Sequence, residues 1–217
     1  KTHLGQGDEI LICVAEHAAN TLPWFKVARE VGAQVNYIDL DETGRVQMEA
    51  VKRAVNDHTK IIALAHATNV LGHVLPVKEI CAYAHERGII VVIDGAQSVP
   101  HMPVDVQDLD MDFLVFSAHK MCGPTGVGVL YGKYDLLKET TPTRLGGGSN
   151  SRYNSCGVVS LKNPPEKFEA GTPNIEGVVG LGAAVRYLMA IGMDQIAAYE
   201  EELRAYAVKR MQEVDLV

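Results

Sequence analysis

The sequence predicts an α/β fold in which helices flank a mostly parallel sheet. Short apolar runs alternate along the chain with segments whose apolar residues recur at the helical period, as in parallel strands joined by helices. The run IIVVI at 89–93 consists only of β-branched residues, as expected of a strand buried on both faces. With 217 residues, 47% of them hydrophobic, the chain can form one domain with a substantial core, spanning 1–217.

The first elements follow this alternation. ILICVA is predicted as a strand, a helix over Pro23 to Val31 follows and ends at Gly32, and VNYI is the second strand. The turn DLDETGR then leads to a helix near Val46 to Val55 and to the strand IIALA.

The clearest unit is the helix that precedes IIVVI. Pro76 opens it and Gly88 closes it, and its apolar positions recur at i, i+3, i+4 and i+7. Those positions are Val77, Ile80, Cys81 and Ala84. The strand that follows ends at Asp94.

The second half of the chain begins with FLVF, a strand that ends at Ser117 and can pair with VGVLY after a glycine loop. Residues 145–174 are rich in Gly, Ser, Asn and Pro and are predicted to be irregular. Helices are predicted over 175–191 and 194–213, the latter with one apolar face. That face carries Ile196, Tyr199, Leu203 and Tyr206.

Composition excludes several classes of partner. A formal charge of -7 argues against binding to nucleic acid or to an anionic membrane surface. No apolar run approaches the roughly 20 residues that span a bilayer, and no signal peptide is evident, so a cytoplasmic protein is expected. The four cysteines form no C-x-x-C pair and are expected to be reduced and mostly packed.

Polar residues cluster just past the predicted strand ends, where ligands bind in open α/β sheets. These residues are Asp94, Ser117, His119 and Lys120, with Asn69 and His17 as further candidates. Asp94 could instead cap the next turn through Gly95, and Lys120 could be a solvated surface lysine.

Lys120 and Asp94 together favour a more definite chemistry. A lysine amine can form a Schiff base with a carbonyl compound. Pyridoxal phosphate requires that amine, a carboxylate for its ring nitrogen, and hydroxyl or amide groups for its phosphate. Lys120, Asp94 and Ser117 supply these three requirements.

Several ordered motifs resemble the cysteine desulfurase and selenocysteine lyase family. This family lies in the class V aminotransferase branch of the fold type I pyridoxal phosphate enzymes. The motifs span nearly the whole chain: AEHAAN, HATNVLG, VIDGAQSV, FSAHKMCGPTGVGVLYG, GGGS and FEAGTPN. The resemblance implies that residues 1–217 are the cofactor-binding large domain of such an enzyme.

The resemblance also implies roles for individual residues. Lys120 would bind the cofactor covalently and, once released, remove the substrate α-proton. Asp94 would pair with the ring nitrogen and Gln97 with the phenolic oxygen. His17 would stack on the ring and assist proton transfer, and Asn69 would contact the substrate carboxylate or ring oxygen.

The remaining implied contacts concern the phosphate group. Ser117 and His119 would hold it, and Thr172 would reach the phosphate of a neighbouring subunit, which implies a homodimer. Plainer roles stay open: His17 could cap a helix, Gln97 could be solvated, and Thr172 could fix the turn before Pro173.

The family activity implied is conversion of L-cysteine to L-alanine. The sulfur would pass as a persulfide to an acceptor protein for iron-sulfur cluster or thio-cofactor assembly. Alternatives are a selenocysteine lyase acting on L-selenocysteine, another class V reaction, or a noncatalytic fragment that dimerises or binds a carrier.

Some family features have no counterpart in this sequence. We find no Gly-Thr-Thr phosphate loop and no small domain with the carboxylate-binding arginine and persulfide cysteine. Cys122 and Cys156 do not occupy that cysteine's position. We therefore expect a fragment that is inactive alone, with helix 194–213 leading toward an absent small domain.

No metal site is predicted. DLDETGRVQMEA resembles a calcium loop, but its twelfth position is Ala50 rather than glutamate, so we interpret it as a turn. His66 and His73 flank Asn69 without the spacing of a helical ligand pair.

Overall fold

The computed structural model describes residues 4–214. A six-stranded sheet has the order β2-β1-β3-β4-β5-β6, in which β1 to β5 pair in parallel and β6 pairs antiparallel to β5. The predicted α/β class with a mostly parallel sheet is therefore confirmed. The strands are β1 Glu9–Cys13, β2 Gln34–Ile38, β3 Thr59–Ala65, β4 Ile90–Asp94, β5 Phe113–Ser117 and β6 Gly128–Gly132.

Six α-helices accompany the sheet within the described residues: α1 Leu22–Val31, α2 Met48–Ala54, α3 Val77–His85, α4 Tyr134–Glu139, α5 Ile175–Ile191 and α6 Met193–Gln212. Residues 145–174 were predicted to be irregular, and this prediction is only partly right. They contain a small antiparallel sheet of β7 Asn150–Tyr153 and β8 Val159–Leu161 and a 3-10 helix over Glu166–Phe168.

The sheet has a hydrophobic core on each face. The larger cluster includes Ile62 and Leu64 of β3 with Ile80 of α3, and the smaller one includes Ala63 of β3 with Ala28 of α1. This division follows from the alternation of side chains along a strand. All five residues of β1 are buried, because helices cover the sheet on both sides there.

Local sequence signals placed the central helices well. The four predicted core residues of α3 are all buried, and α1 ends at Gly32, which adopts the left-handed conformation at φ 76°. β4 differs from its prediction, since only Val91 and Ile93 are fully buried while Ile90 and Val92 are partly exposed. The prediction for cysteines was also only half right: Cys13 and Cys81 are buried, and Cys122 and Cys156 are exposed.

The last two helices present large apolar side chains to solvent. Tyr199, Leu203 and Tyr206 on the predicted face of α6 are exposed. Within residues 4–214 no single helix is long and apolar enough to cross a bilayer; only α5 and α6 taken as one broken span, bent by 74°, satisfy that test by length and composition.

Candidate active site

A small cavity lies at the carboxyl ends of β3 and β4. Asp94 and Ala65 are register partners on these strands, and both line the cavity. The other lining residues come from separate loops: His17, Ala67, Asn69, Ala96, Gln97 and Lys120. Five of the predicted site residues therefore meet in one place, on an alanine-rich wall.

Asp94 ends β4 with one carboxylate oxygen committed to the fold. Its Oδ1 accepts a hydrogen bond from the Ala96 backbone N–H at 2.9 Å, so the plainer capping role is realised. Its Oδ2 accepts no hydrogen bond from residues 4–214. That oxygen is available to a ligand, so Asp94 can cap the turn and bind a ligand at the same time.

Lys120 ends a 3-10 helix over Ala118–Lys120 directly after β5. The following loop folds back so tightly that a Cβ at Gly123 would lie 2.8 Å from the Ala118 carbonyl oxygen. The Lys120 amine makes no hydrogen bond or ion pair within residues 4–214, whereas Lys133 pairs with Asp110 and Asp112. The loop thus presents a half-buried amine without a protein partner to the cavity.

His17 has the plainer capping role that the sequence left open, and its stacking on a cofactor ring stays a prediction. Its Nδ1 accepts a hydrogen bond from the Ala19 backbone N–H at 3.1 Å and caps a 3-10 helix over Ala18–Asn20. Its ring also lines the cavity. Because Nδ1 is an acceptor, the neutral ring carries its proton on Nε2.

Gln97 and Asn69 supply amide groups to the same cavity. Gln97 is half-buried in the turn after Asp94, and Asn69 is exposed in the loop between β3 and α3. Amide groups can donate and accept hydrogen bonds, which suits the polar substituents of a bound ring.

Ser117, His119 and Thr172 do not line this cavity. Ser117 is half-buried at the end of β5, His119 is exposed one turn later, and Thr172 is exposed at a bend before Pro173. Their assignment to a phosphate group stays a prediction.

Glu16, beside the cavity, is a residue that the sequence reasoning missed. Its carboxyl group accepts hydrogen bonds from the Ala65 N–H at 2.9 Å and the Asn20 amide at 2.6 Å. Burial, together with the charge of Asp94, raises the pKa of Glu16 to about 7. The available signal was its place in AEHAAN, immediately before His17.

His66 and the DLDETGR segment, which the sequence analysis rejected as metal sites, have other roles in the fold. His66 is buried with an unpartnered Nδ1, and burial lowers its pKa, which favours a neutral ring. The DLDETGR segment is the expected turn, in which Asp41 Oδ1 accepts hydrogen bonds from the Thr43 and Arg45 N–H groups. Across residues 4–214 no group of three His, Cys, Asp or Glu side chains could hold a metal ion.

The cavity suits pyridoxal phosphate by the chemistry of its walls. That cofactor needs a lysine amine, a carboxylate for its ring nitrogen and groups that hold the ring. Lys120 is unpartnered, Asp94 has a free oxygen, and His17, Asn69 and Gln97 surround them.

Comparison with known proteins gives concordant results. A family model for class-V aminotransferases matches residues 1–217. A probable cysteine desulfurase from Halalkalibacterium halodurans is 46% identical over 217 residues, covering 99% of this chain and 53% of the relative. A cysteine desulfurase from Haloferax volcanii is 48% identical over 212 residues, covering 98% of this chain and 50% of the relative.

Solved structures agree with these relatives. The cysteine desulfurase CsdA from Escherichia coli superposes with a TM-score of 0.94 at 38% identity, over 97% of this chain and 53% of that one. The cystine C-S lyase C-DES, solved with its reaction product cysteine persulfide, gives a TM-score of 0.79 at 29% identity, over 88% of this chain and 52% of that one.

The chain spans about half the length of the curated relatives it matches. The family match covers its whole length and agrees with the motifs, the sheet topology and the cavity. The chain belongs to the class-V aminotransferase family.

Proposed function

We propose that this chain is the cofactor-binding part of a pyridoxal phosphate-dependent cysteine desulfurase. The observation that carries the proposal is that Lys120 and Asp94, from different strand ends, line one cavity with neither charge neutralised by the other. Relatives named as cysteine desulfurases support the choice of reaction.

Lys120 and Asp94 have the central roles. Bound pyridoxal phosphate supplies an electron sink that weakens the bonds at the substrate α-carbon. The Lys120 amine would hold the cofactor covalently, and its free Nζ would accept the substrate α-proton. Asp94 Oδ2 would accept a hydrogen bond from the protonated ring nitrogen, because Oδ1 is bound to the Ala96 N–H.

The other cavity residues orient the ring and the substrate. His17 would stack against the ring and present Nε2–H for proton transfer, because its Nδ1 is occupied by the Ala19 N–H. Gln97 would hydrogen-bond the phenolic oxygen, and Asn69 would contact the substrate carboxylate or that oxygen. Ser117 and His119 would hold the phosphate, and Thr172 would reach the phosphate of a second subunit in a homodimer.

The proposed substrate is L-cysteine, converted to L-alanine with its sulfur passed as a persulfide to an acceptor protein. The C-DES complex with cysteine persulfide supports sulfur chemistry in this fold. Free exposed thiols at Cys122 and Cys156 fit a reducing compartment, which supports a cytoplasmic location.

The test uses the protein that contains this chain, loaded with pyridoxal phosphate. We expect it to release alanine from L-cysteine in a one-to-one ratio with transferable sulfur, and the Lys120→Ala variant to release neither. A protein that binds the cofactor but converts only L-selenocysteine would replace the proposed reaction by selenocysteine lyase. A protein that binds no cofactor would overturn the proposal in favour of a noncatalytic module.

A further inference from the structure

Glu16 lies at the point where β1 and β3 part. The residues of β1 that pair with β3 run from Glu9 to Leu11, with a register shift after Glu9, and β1 ends at Cys13. β3 continues to Ala65, whose backbone N–H then has no strand partner on that side. The Glu16 carboxyl group accepts this N–H at 2.9 Å and so extends the strand pairing by one side-chain hydrogen bond.

The second oxygen of Glu16 starts a relay away from the cavity. It accepts a hydrogen bond from the buried Asn20 amide at 2.6 Å, and the Asn20 oxygen accepts one from Trp24 Nε1 at 3.1 Å. Glu16 precedes the 3-10 helix that ends at Asn20, and Trp24 lies in the first turn of α1, so these hydrogen bonds connect the end of β3 to the start of α1. Glu16 therefore connects the segment that carries His17 to the end of β3 and, through Asn20, to Trp24 of α1.

Glu16 also faces the carboxylate of the site. Asp94 is the register partner of Ala65, which explains why its charge opposes ionisation of Glu16. Burial is the largest cause of the raised pKa of Glu16 at about 7. Cys13 is a further titratable group near this carboxyl, and its own pKa is raised by burial and by Glu16. His17, the next residue, and Lys120 line the neighbouring cavity.

We propose that Glu16 is a positioning residue: its carboxyl group ties the His17 turn to the end of β3 and so sets the His17 ring against Asp94. This inference rests on the proposed function, because the ring it positions is the one that stacks on the cofactor. Glu16 has no direct contact with substrate in this role.

The first test uses cofactor-free protein and needs no activity. Trp24 is the only tryptophan in the chain and is two hydrogen bonds from Glu16. We expect its fluorescence to titrate with a midpoint near pH 7, as for Glu16 itself. The transition should vanish in Glu16→Gln and persist in His17→Asn and in Glu9→Gln, a matched buried carboxyl at the opposite edge of the sheet.

The second test measures position through hydrogen exchange of the Ala65 amide. Glu16→Ala removes the acceptor, and we expect exchange to accelerate by about tenfold, since one hydrogen bond contributes roughly that factor. Glu16→Gln retains an acceptor oxygen and should restore protection. Equal exchange in wild type and Glu16→Ala would overturn the inference.

The third test separates this inference from the proposed function. Wild-type protein should bind pyridoxal phosphate, and Glu16→Ala should bind it about tenfold more weakly, with Glu16→Gln in between, because its one acceptor oxygen serves the Ala65 N–H but its NH2 cannot accept from the Asn20 amide. If wild type binds no cofactor, the proposed function fails. If wild type binds it and Glu16→Ala binds it equally well, the positioning role fails and the proposed function stands.

Discussion

The amino edge of the sheet, where the parallel strands begin, and the carboxyl edge, where they end, differ in how completely their carboxyl groups are hydrogen-bonded. At the amino edge, Glu9 is buried and accepts hydrogen bonds from Asn36, Asn56 and Thr59. Every oxygen has a partner within the fold, so burial of this charge is compensated.

Asp112 repeats the arrangement at the start of β5. It accepts the Val91 N–H at 2.8 Å, contacts His85 Nε2 at 3.0 Å and pairs with Lys133 at 3.0 Å. A buried carboxylate with this many donors stabilises the folded state, because only the native arrangement supplies them all.

At the carboxyl edge the charged groups lack some or all of their possible protein partners. Asp94 has one committed oxygen, Lys120 has no partner within residues 4–214, and Glu16 has a pKa raised to about 7. The contrast shows that the amino edge uses its polar groups for stability, whereas the carboxyl edge keeps them available for a ligand. Four substitutions test this contrast.

Lys120→Ala should abolish covalent cofactor binding completely. Because Lys120 has no protein partner, the free energy of unfolding should change by no more than about 0.5 kcal/mol, as for an unpaired surface residue. Lys133→Ala is the matched control: it breaks two ion pairs and should destabilise the fold while cofactor binding is retained. Absorbance of bound cofactor and denaturant unfolding measure the two effects, and a large destabilisation by Lys120→Ala would contradict the comparison.

Asp112→Ala should destabilise the protein by roughly 3–5 kcal/mol, the usual effect of breaking a buried charge pair. The change leaves His85, Lys133 and the Val91 N–H without their partner. Cofactor affinity in the folded variant should be unaltered. Chemical denaturation checks the first expectation, and a loss below about 1 kcal/mol would show that the amino edge is not a stabilising network.

Glu16 should make stability depend on pH in a definite direction. The pKa of Glu16 is raised from 4.5 to about 7 on folding, so its favourable state is the protonated one. Its contribution is fully present below pH 4.5 and is lost as the pH rises to about 7, a change of roughly 3 kcal/mol at 1.36 kcal/mol per unit. The unfolding free energy of Glu16→Gln minus that of wild type should therefore increase between pH 4 and pH 8. A difference that does not change with pH would refute this.

Asp94→Asn should weaken pyridoxal phosphate binding by about 10- to 100-fold, since a hydrogen bond to a charged group contributes roughly 1.5–3 kcal/mol. An asparagine oxygen still accepts the Ala96 N–H, so the unfolding free energy should be nearly unchanged. Equilibrium titration of the cofactor by absorbance measures the loss. Unchanged affinity would remove Asp94 from the proposed site.

The sequence alone predicted the features that depend on local periodicity. The core positions of α3 and the strands of the main sheet were recognised because burial imposes a repeating pattern on consecutive residues. The convergence of Asp94, Lys120 and His17 followed from the rule that ligands gather at the carboxyl ends of strands.

The missed features depend on contacts between distant residues. The short helix α4 is supported by the buried Lys167, whose ammonium donates to the carbonyl oxygens of Leu137 and Lys138. Glu16 acquires its role only when Ala65 and Asp94 are placed beside it. Neither of these long-range contacts produces a repeating pattern in the sequence.

Whether Lys120 holds the cofactor is tested most directly by reducing the wild-type protein with borohydride in the presence of pyridoxal phosphate and mapping the modified peptide. Reduction converts the link between cofactor and lysine to a stable amine. We expect one modified peptide, with the label on Lys120. A label on Lys133 or another lysine, or no label at all, would contradict it.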